Sequence, residues 1–235
     1  MESKINTFFI TSTGTGIGKT YLTASLCFQL NKLEQDVHAL KPIISGFSIE
    51  NPNESDSAIL LASMGKEYNE ESINKISPWR FKLAASPDIA ARLEGREIIT
   101  NELIDFCSNY MRITQKKEAS TLLIEGIGGA MVPINSEHTV LDWIKLLNIK
   151  CILVSGSYLG CISHTLTTFE AMQTKGLTPK SLVISESEDS PVSLYETEKT
   201  LKNFLKDTPI FVLERHKNSP NTYWQDRPDI TNIIR

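Results

Sequence analysis

Residues 7–26, TFFITSTGTGIGKTYLTASL, run from a β-branched and aromatic stretch through closely spaced glycines into helix-favouring residues. Strand, glycine-rich turn and helix in immediate succession are the setting of a phosphate-binding P-loop. Glycine at 14, 16 and 18 lets consecutive backbone N–H groups turn towards one anion. A helix opening near Lys19 adds the partial positive charge of its N-terminus. Lys19 is then placed for the outer phosphates and the Thr20 hydroxyl for Mg²⁺. The strict pattern G-x-x-x-x-G-K-[ST] is missed because its first glycine falls on Thr13, yet the context and Gly18-Lys19-Thr20 are in place. The expected ligand is a nucleoside triphosphate with Mg²⁺.

A P-loop of this kind needs a buried strand behind it, and the chain supplies several. Short, continuous apolar runs at 7–11, 37–40, 122–124, 152–154, 182–184 and 210–213 suit strands covered on both faces. Helix-period segments at 19–33, 56–64, 102–111 and 162–174 lie between them. Such alternation predicts one α/β domain over residues 1–235, with a mostly parallel sheet flanked by helices on both faces. The interval 64–118 is too long for one crossover and is expected to hold its own helices and loops over the carboxyl edge of the sheet, where substrate sites form. From Arg215 onward, Asn218, Pro220, Asn221 and Pro228 predict an irregular surface tail.

A net charge of −4 without basic runs argues against nucleic acid or an anionic membrane as the main partner. Cys27, Cys107, Cys151 and Cys161 lie far apart and read as buried, reduced thiols. His38, His138, His164 and His216 are scattered and read as structural. The N-terminal apolar run is short and fits a first strand, so a cytoplasmic protein is expected.

A triphosphate site needs carboxylates near the loop at strand ends. Glu125 ends the run 121–124 and opens Glu-Gly-Ile-Gly-Gly (125–129), as the acidic residue of a Walker B element does; a plain strand-end carboxylate is the alternative. Asp56 opens a helix and reads either as a metal ligand or as a cap. Lys41, held by Pro42 at the end of the second strand, could steady charge developing at the γ-phosphate or could lie along the surface. Residues 158–164, Tyr-Leu-Gly-Cys-Ile-Ser-His, open a helix whose free N–H groups could receive a carboxylate or phosphate, or simply begin the helix.

The ordered set Ser-Thr-Gly-Thr-Gly-Ile-Gly-Lys-Thr (12–20), Lys-Pro-Ile-Ile-Ser-Gly (41–46), Ser-Asp (55–56), Ser-Pro-Asp-Ile-Ala-Ala-Arg-Leu-Glu-Gly (86–95), Glu-Gly-Ile-Gly-Gly (125–129) and Leu-Gly-Cys-Ile-Ser-His (159–164) resembles dethiobiotin synthetase, the ATP-dependent carboxylase family of biotin synthesis. The resemblance covers roughly residues 5–185. It implies 7,8-diaminononanoate and CO₂ as substrates, ATP and Mg²⁺ as cofactors, and a cyclic urea as product.

The resemblance also implies roles. Thr13, Gly14, Thr15, Gly16, Ile17, Gly18, Lys19, Thr20, Glu125, Gly128 and Ser185 would bind the nucleotide. Thr20, Asp56 and Glu125 would hold Mg²⁺. Lys41 and Lys19, with Thr15 and Ser45, would orient the carbamate and γ-phosphate. Gly160, Cys161, Ile162 and Ser163 would capture the substrate carboxylate from a neighbouring subunit, which implies a homodimer with sites at its interface. The chain departs from the family at Ser12 (usually Gly), Gly16 (Glu in some members), Ser163 (often Asn) and Asp88 (commonly His). Ser185-Glu186 stands where an Asn-Asp pair often reads adenine, and 211–214 lacks the familiar proline. ATP is the expected nucleotide, with base selectivity left open.

Two other functions fit a P-loop chain. A MinD/ParA-type switch ATPase usually carries a lysine near the front of the loop, absent at 12–14, and often a basic amphipathic tail, which 222–235 does not show. An amidotransferase-like synthetase usually adds a glutaminase domain, for which little chain is left after Glu125.

Overall fold

The computed structural model describes residues 6–52, 55–115, 120–215, 224–225 and 228–234. Six strands form one sheet: β1 (Asn6–Ser12), β2 (Val37–Leu40), β5 (Thr121–Glu125), β6 (Lys150–Ser155), β7 (Ser181–Ser185) and β8 (Ile210–Leu213). Their order is β2-β5-β1-β6-β7-β8, and every pair is parallel. All six apolar runs read from the sequence are strands. β1 and β5 are buried almost throughout, which explains why their sequences do not alternate.

The insertion of β5 between β1 and β2 positions the site. The chain leaves β1 towards β2 on one side and leaves β5 towards β6 on the other, so a crevice opens at the carboxyl ends of the central strands. Phe9 pairs with Ile124 on one flank and Cys151 on the other, and its ring meets Trp143 edge-on at 4.7 Å.

Helix α1 (Lys19–Lys32) follows the P-loop and packs on α2 (Asp56–Ser63). The long interval holds α3 (Glu70–Ile76), α4 (Pro87–Leu93) and α5 (Thr100–Gln115), as expected. It also contributes β4 (Trp79–Phe81), which pairs with β3 (Ile43–Ser45) in a second, two-stranded parallel sheet. Three-residue strands are too short to carry a period, so this sheet had no sequence signal. Helices α6 (Val140–Leu147), α7 (Cys161–Thr174) and α8 (Leu194–Phe204) complete the layers.

The C-terminal expectation needs correction. Residues 216–223, 226–227 and 235 lie outside the described set, but Trp224, Ile230 and Ile233 are buried and Thr231–Ile233 is a 3-10 helix. The Gln29 amide on α1 donates to Pro228 O and accepts from Ile230 N, at 2.8 and 2.9 Å, and so holds this stretch. All four cysteines are free and buried. Among the described residues, no helix is long and apolar enough to cross a membrane.

Candidate active site

The start of the loop between β1 and α1 is anchored on strand β6 and on the loop after β5. Thr13 N donates to Val154 O at 3.0 Å, and Ala130 N donates to Ser12 O at 2.8 Å. Gly18 is the N-cap of α1 with φ of 105°, and a Cβ there would run into the Ser185 hydroxyl. Both the backbone and the space therefore demand glycine. Gly16 also uses positive φ, at 71°, whereas Gly14 does not, so the freedom expected at three glycines is used at two. Gly129 presses on the loop from behind: a Cβ there would lie 3.1 Å from Thr13 O.

Lys19 is 6% exposed and passes beneath the loop. Its ammonium donates to Gly128 O at 2.7 Å and to Ser12 Oγ at 3.0 Å, with Gly14 O at 3.4 Å. Burial, then repulsion from Lys41, pulls its pKa down to about 8 against the attraction of Glu125 and Asp56.

Beside it, four side chains converge, from α1, α2, the end of β5 and the residue after β2. Thr20 Oγ1 lies 2.7 Å from Glu125 Oε1 and 2.9 Å from Asp56 Oδ1. Lys41 donates to Glu125 Oε1 at 2.7 Å and to Gly126 O at 2.8 Å, and pairs with Asp56 Oδ2 at 3.2 Å. Burial alone would lower the Lys41 pKa, but Glu125 and Asp56 outweigh it and the pKa is raised. Burial would raise the Asp56 carboxyl, but Lys41 and Thr20 hold it low. Both bland readings fail here. Lys41 is 3% exposed and not a surface lysine, and the cap of α2 is Ser55, whose Oγ accepts from Ala58 N, so Asp56 is left free to face Thr20.

This cluster suits a divalent cation. Among the described residues, Glu125 Oε2 is buried without a hydrogen-bond partner, so its lone pairs are open to a cation or a water. One hydroxyl and two carboxylates, completed by phosphate oxygens and water, match the hard oxygen set that Mg²⁺ takes.

A cleft of about 900 Å³ opens over the loop, floored by residues 13–18 and walled by Tyr21, Tyr158, His164, residues 185–189 and Arg215. That volume accommodates a nucleoside triphosphate. Of the residues expected to bind the nucleotide, Thr13, Gly14, Thr15, Gly16, Ile17, Gly18 and Ser185 line it, whereas Lys19, Thr20, Glu125 and Gly128 lie outside its lining. Glu186, which stands in the base-reading position, lines it too, whereas Tyr21, Glu188 and Arg215 were missed; the only signal was their position just after a strand end or P-loop. His164, read as structural, stands in the wall with Nδ1 2.8 Å from the Tyr158 hydroxyl.

Residues 160–163 do not line this cleft, nor does Ser45, which is half-buried at the end of β3. Gly160 caps α7 with φ of 97°, Cys161 is buried, and Leu159 stands 86% exposed beside them.

A family model described as an AAA domain matches residues 6–216, which contain every site residue above. The ATP-dependent dethiobiotin synthetase of Acidiphilium cryptum is 40% identical over 223 residues, covering 94% of each chain. This chain belongs to the dethiobiotin synthetase family. The dethiobiotin synthetase of Methylobacterium nodulans is 39% identical over 190 residues, 80% of this chain and 84% of that protein. Among solved structures, pNOB8 ParA bound to nonspecific DNA has a TM-score of 0.56 at 11% identity, covering 97% of this chain and 91% of that one. The MinC:MinD cell division complex of Aquifex aeolicus has 0.52 at 12%, covering 90% and 82%. At such low identity these likenesses show the P-loop fold alone; the relationship to dethiobiotin synthetases is carried by the sequence.

Proposed function

We propose that this chain is a dethiobiotin synthetase, a cyclo-ligase that joins 7,8-diaminononanoate and CO₂ into a cyclic urea at the expense of ATP, in the cytoplasm where ATP is held. The observation that carries this reading is the convergence of Thr20, Asp56, Glu125 and Lys41 at hydrogen-bond distance beside a P-loop.

The chemistry needs a carbamate oxygen made into a leaving group. One amine takes up CO₂ and loses a proton. The carbamate oxygen then attacks the γ-phosphorus, and ADP departs. The second amine attacks the carbonyl of the resulting carbamic–phosphoric anhydride, and phosphate leaves as the ring closes. For the phosphoryl transfer the protein supplies position and positive charge. Loop N–H groups and Lys19 hold the β/γ-phosphates. Thr20, Asp56 and Glu125 would hold Mg²⁺, which would neutralise phosphate charge when bound. Lys41 exchanges from its carboxylates onto the carbamate and γ-phosphate oxygens, with Thr15 and Ser45 helping to orient them.

The substrate carboxylate is received at 160–163 of a second copy in a homodimer. Two observations support this: those residues open α7 without lining their own chain's cleft, and Leu159 beside them is almost fully exposed.

Phosphate release measured with 7,8-diaminononanoate and bicarbonate is expected to rise well above background ATP hydrolysis. No stimulation would remove the reaction and leave the fold intact. The same assay with ATP, CTP, GTP and UTP measures base selectivity. Ser185 and the carboxylates of Glu186, Glu188 and Asp189 favour bases bearing an amino donor, so UTP, which has none, is expected to be the poorest substrate.

A further inference from the structure

Ser12 ends β1 fully buried, and its hydroxyl touches three groups from different parts of the site. It lies 2.6 Å from Gly14 O in the P-loop and 2.9 Å from Gly128 O in the loop after β5, and it accepts from Lys19 Nζ at 3.0 Å. The hydroxyl has a single proton, so it donates to one carbonyl while offering a lone pair to the ammonium. Lys19 carries three donors, and its three neighbours are Ser12 Oγ, Gly14 O and Gly128 O. Among the described residues, no carboxylate makes an ion pair with it. A buried ammonium whose hydrogen-bond acceptors are all neutral depends on each of them, with Glu125 and Asp56 acting on it only from a distance.

We propose that Ser12 is a positioning residue for the nucleotide phosphates: it holds the Lys19 ammonium under the P-loop and ties that loop to the 126–130 loop, so that Lys19 is already in place when the outer phosphates arrive. An alanine or glycine at this position has no oxygen to offer. Lys19 would then be left with two backbone carbonyls, and the link from the Gly14 side to the Gly128 side would be lost. Ordering the lysine and both loops would fall to the nucleotide, at the expense of affinity.

The role is tied to the phosphates that Lys19 reaches and not to the base or ribose, which sets it apart from a general structural role. It rests on the nucleotide reading of the cleft. Calorimetric titration of ATP, ADP and AMP into the unmodified chain and into Ser12→Ala, with Mg²⁺ present, tests it. The readout is the ratio of ATP to AMP affinity, which does not depend on the fraction of active protein. In Ser12→Ala that ratio is expected to fall about tenfold, the loss of one hydrogen bond to a charged group. AMP, which does not reach Lys19, is expected to lose much less affinity than ATP.

An equal loss for all three nucleotides would make Ser12 a structural residue and overturn the proposal. An unchanged ratio, or tighter ATP binding, would overturn it as well, the latter by showing that Ser12 restrains Lys19. Failure of the unmodified chain to bind ATP at all would defeat the nucleotide reading itself, and the two failures are therefore distinct.

Discussion

The Lys41 ammonium lies 2.7 Å from Glu125 Oε1, although the two residues are 84 positions apart in the chain, and both side chains are shut away from solvent. Breaking such a pair from one side strands a buried charge. Lys41→Met is expected to destabilise the fold by about 3–5 kcal/mol and to abolish turnover. Adding Glu125→Gln removes the stranded charge and is expected to restore part of the stability but none of the activity. Urea unfolding of the parent and the two variants checks this, and an unchanged midpoint for Lys41→Met would show that the pair contributes nothing.

Glu125→Gln alone keeps the shape of the cluster but removes its buried charge. The Mg²⁺ concentration giving half-maximal rate is expected to rise by about tenfold or more. Titration of the rate with Mg²⁺ at saturating ATP measures it.

Gly18 and Ser185 meet where α1 begins, and the Gly18 backbone sits at φ of 105°. Gly18→Ala is expected to cost about 2 kcal/mol, combining backbone strain with the clash. Adding Ser185→Gly relieves the clash only, so thermal melts of the double variant are expected to recover part of the loss. Full recovery would mean that the backbone there is unstrained.

Asp142 accepts from Thr139 N at 2.8 Å at the start of α6 and pairs with Lys175. Burial would raise its carboxyl, but Lys175 and Thr139 outweigh burial and bring the pKa from 3.8 to about 2. Because the folded value lies below the unfolded one, this contribution is complete above pH 3.8 and fades as pH falls through about 2. Asp142→Ala is expected to lose about 1 kcal/mol near neutral pH. Urea midpoints of parent and variant are expected to draw together as the acid limit is approached.

Much of the fold was legible because local chemistry writes it. Strands buried on both faces are continuously apolar, so all six strands of the main sheet could be read. The P-loop is a contiguous strand, turn and helix, so Lys19 and Thr20 could be placed without knowing any other residue. Asp56, Glu125 and Lys41 could be nominated as polar residues at element ends, but each also had an ordinary reading. Only the tertiary structure brought their side chains together. With β5 set between β1 and β2, the carboxyl ends of β2 and β5 come side by side at the foot of α1, and Lys41, Glu125 and Thr20 meet there. The same assembly turned Ser12 from a plain departure in a motif into a bridge to Gly128, and drew Ile230 and Ile233 of the tail into the core. Backbone preference and burial period act over a few residues and leave a trace in the sequence; contacts across the sheet depend on strand order and register, which arise only when the whole core closes.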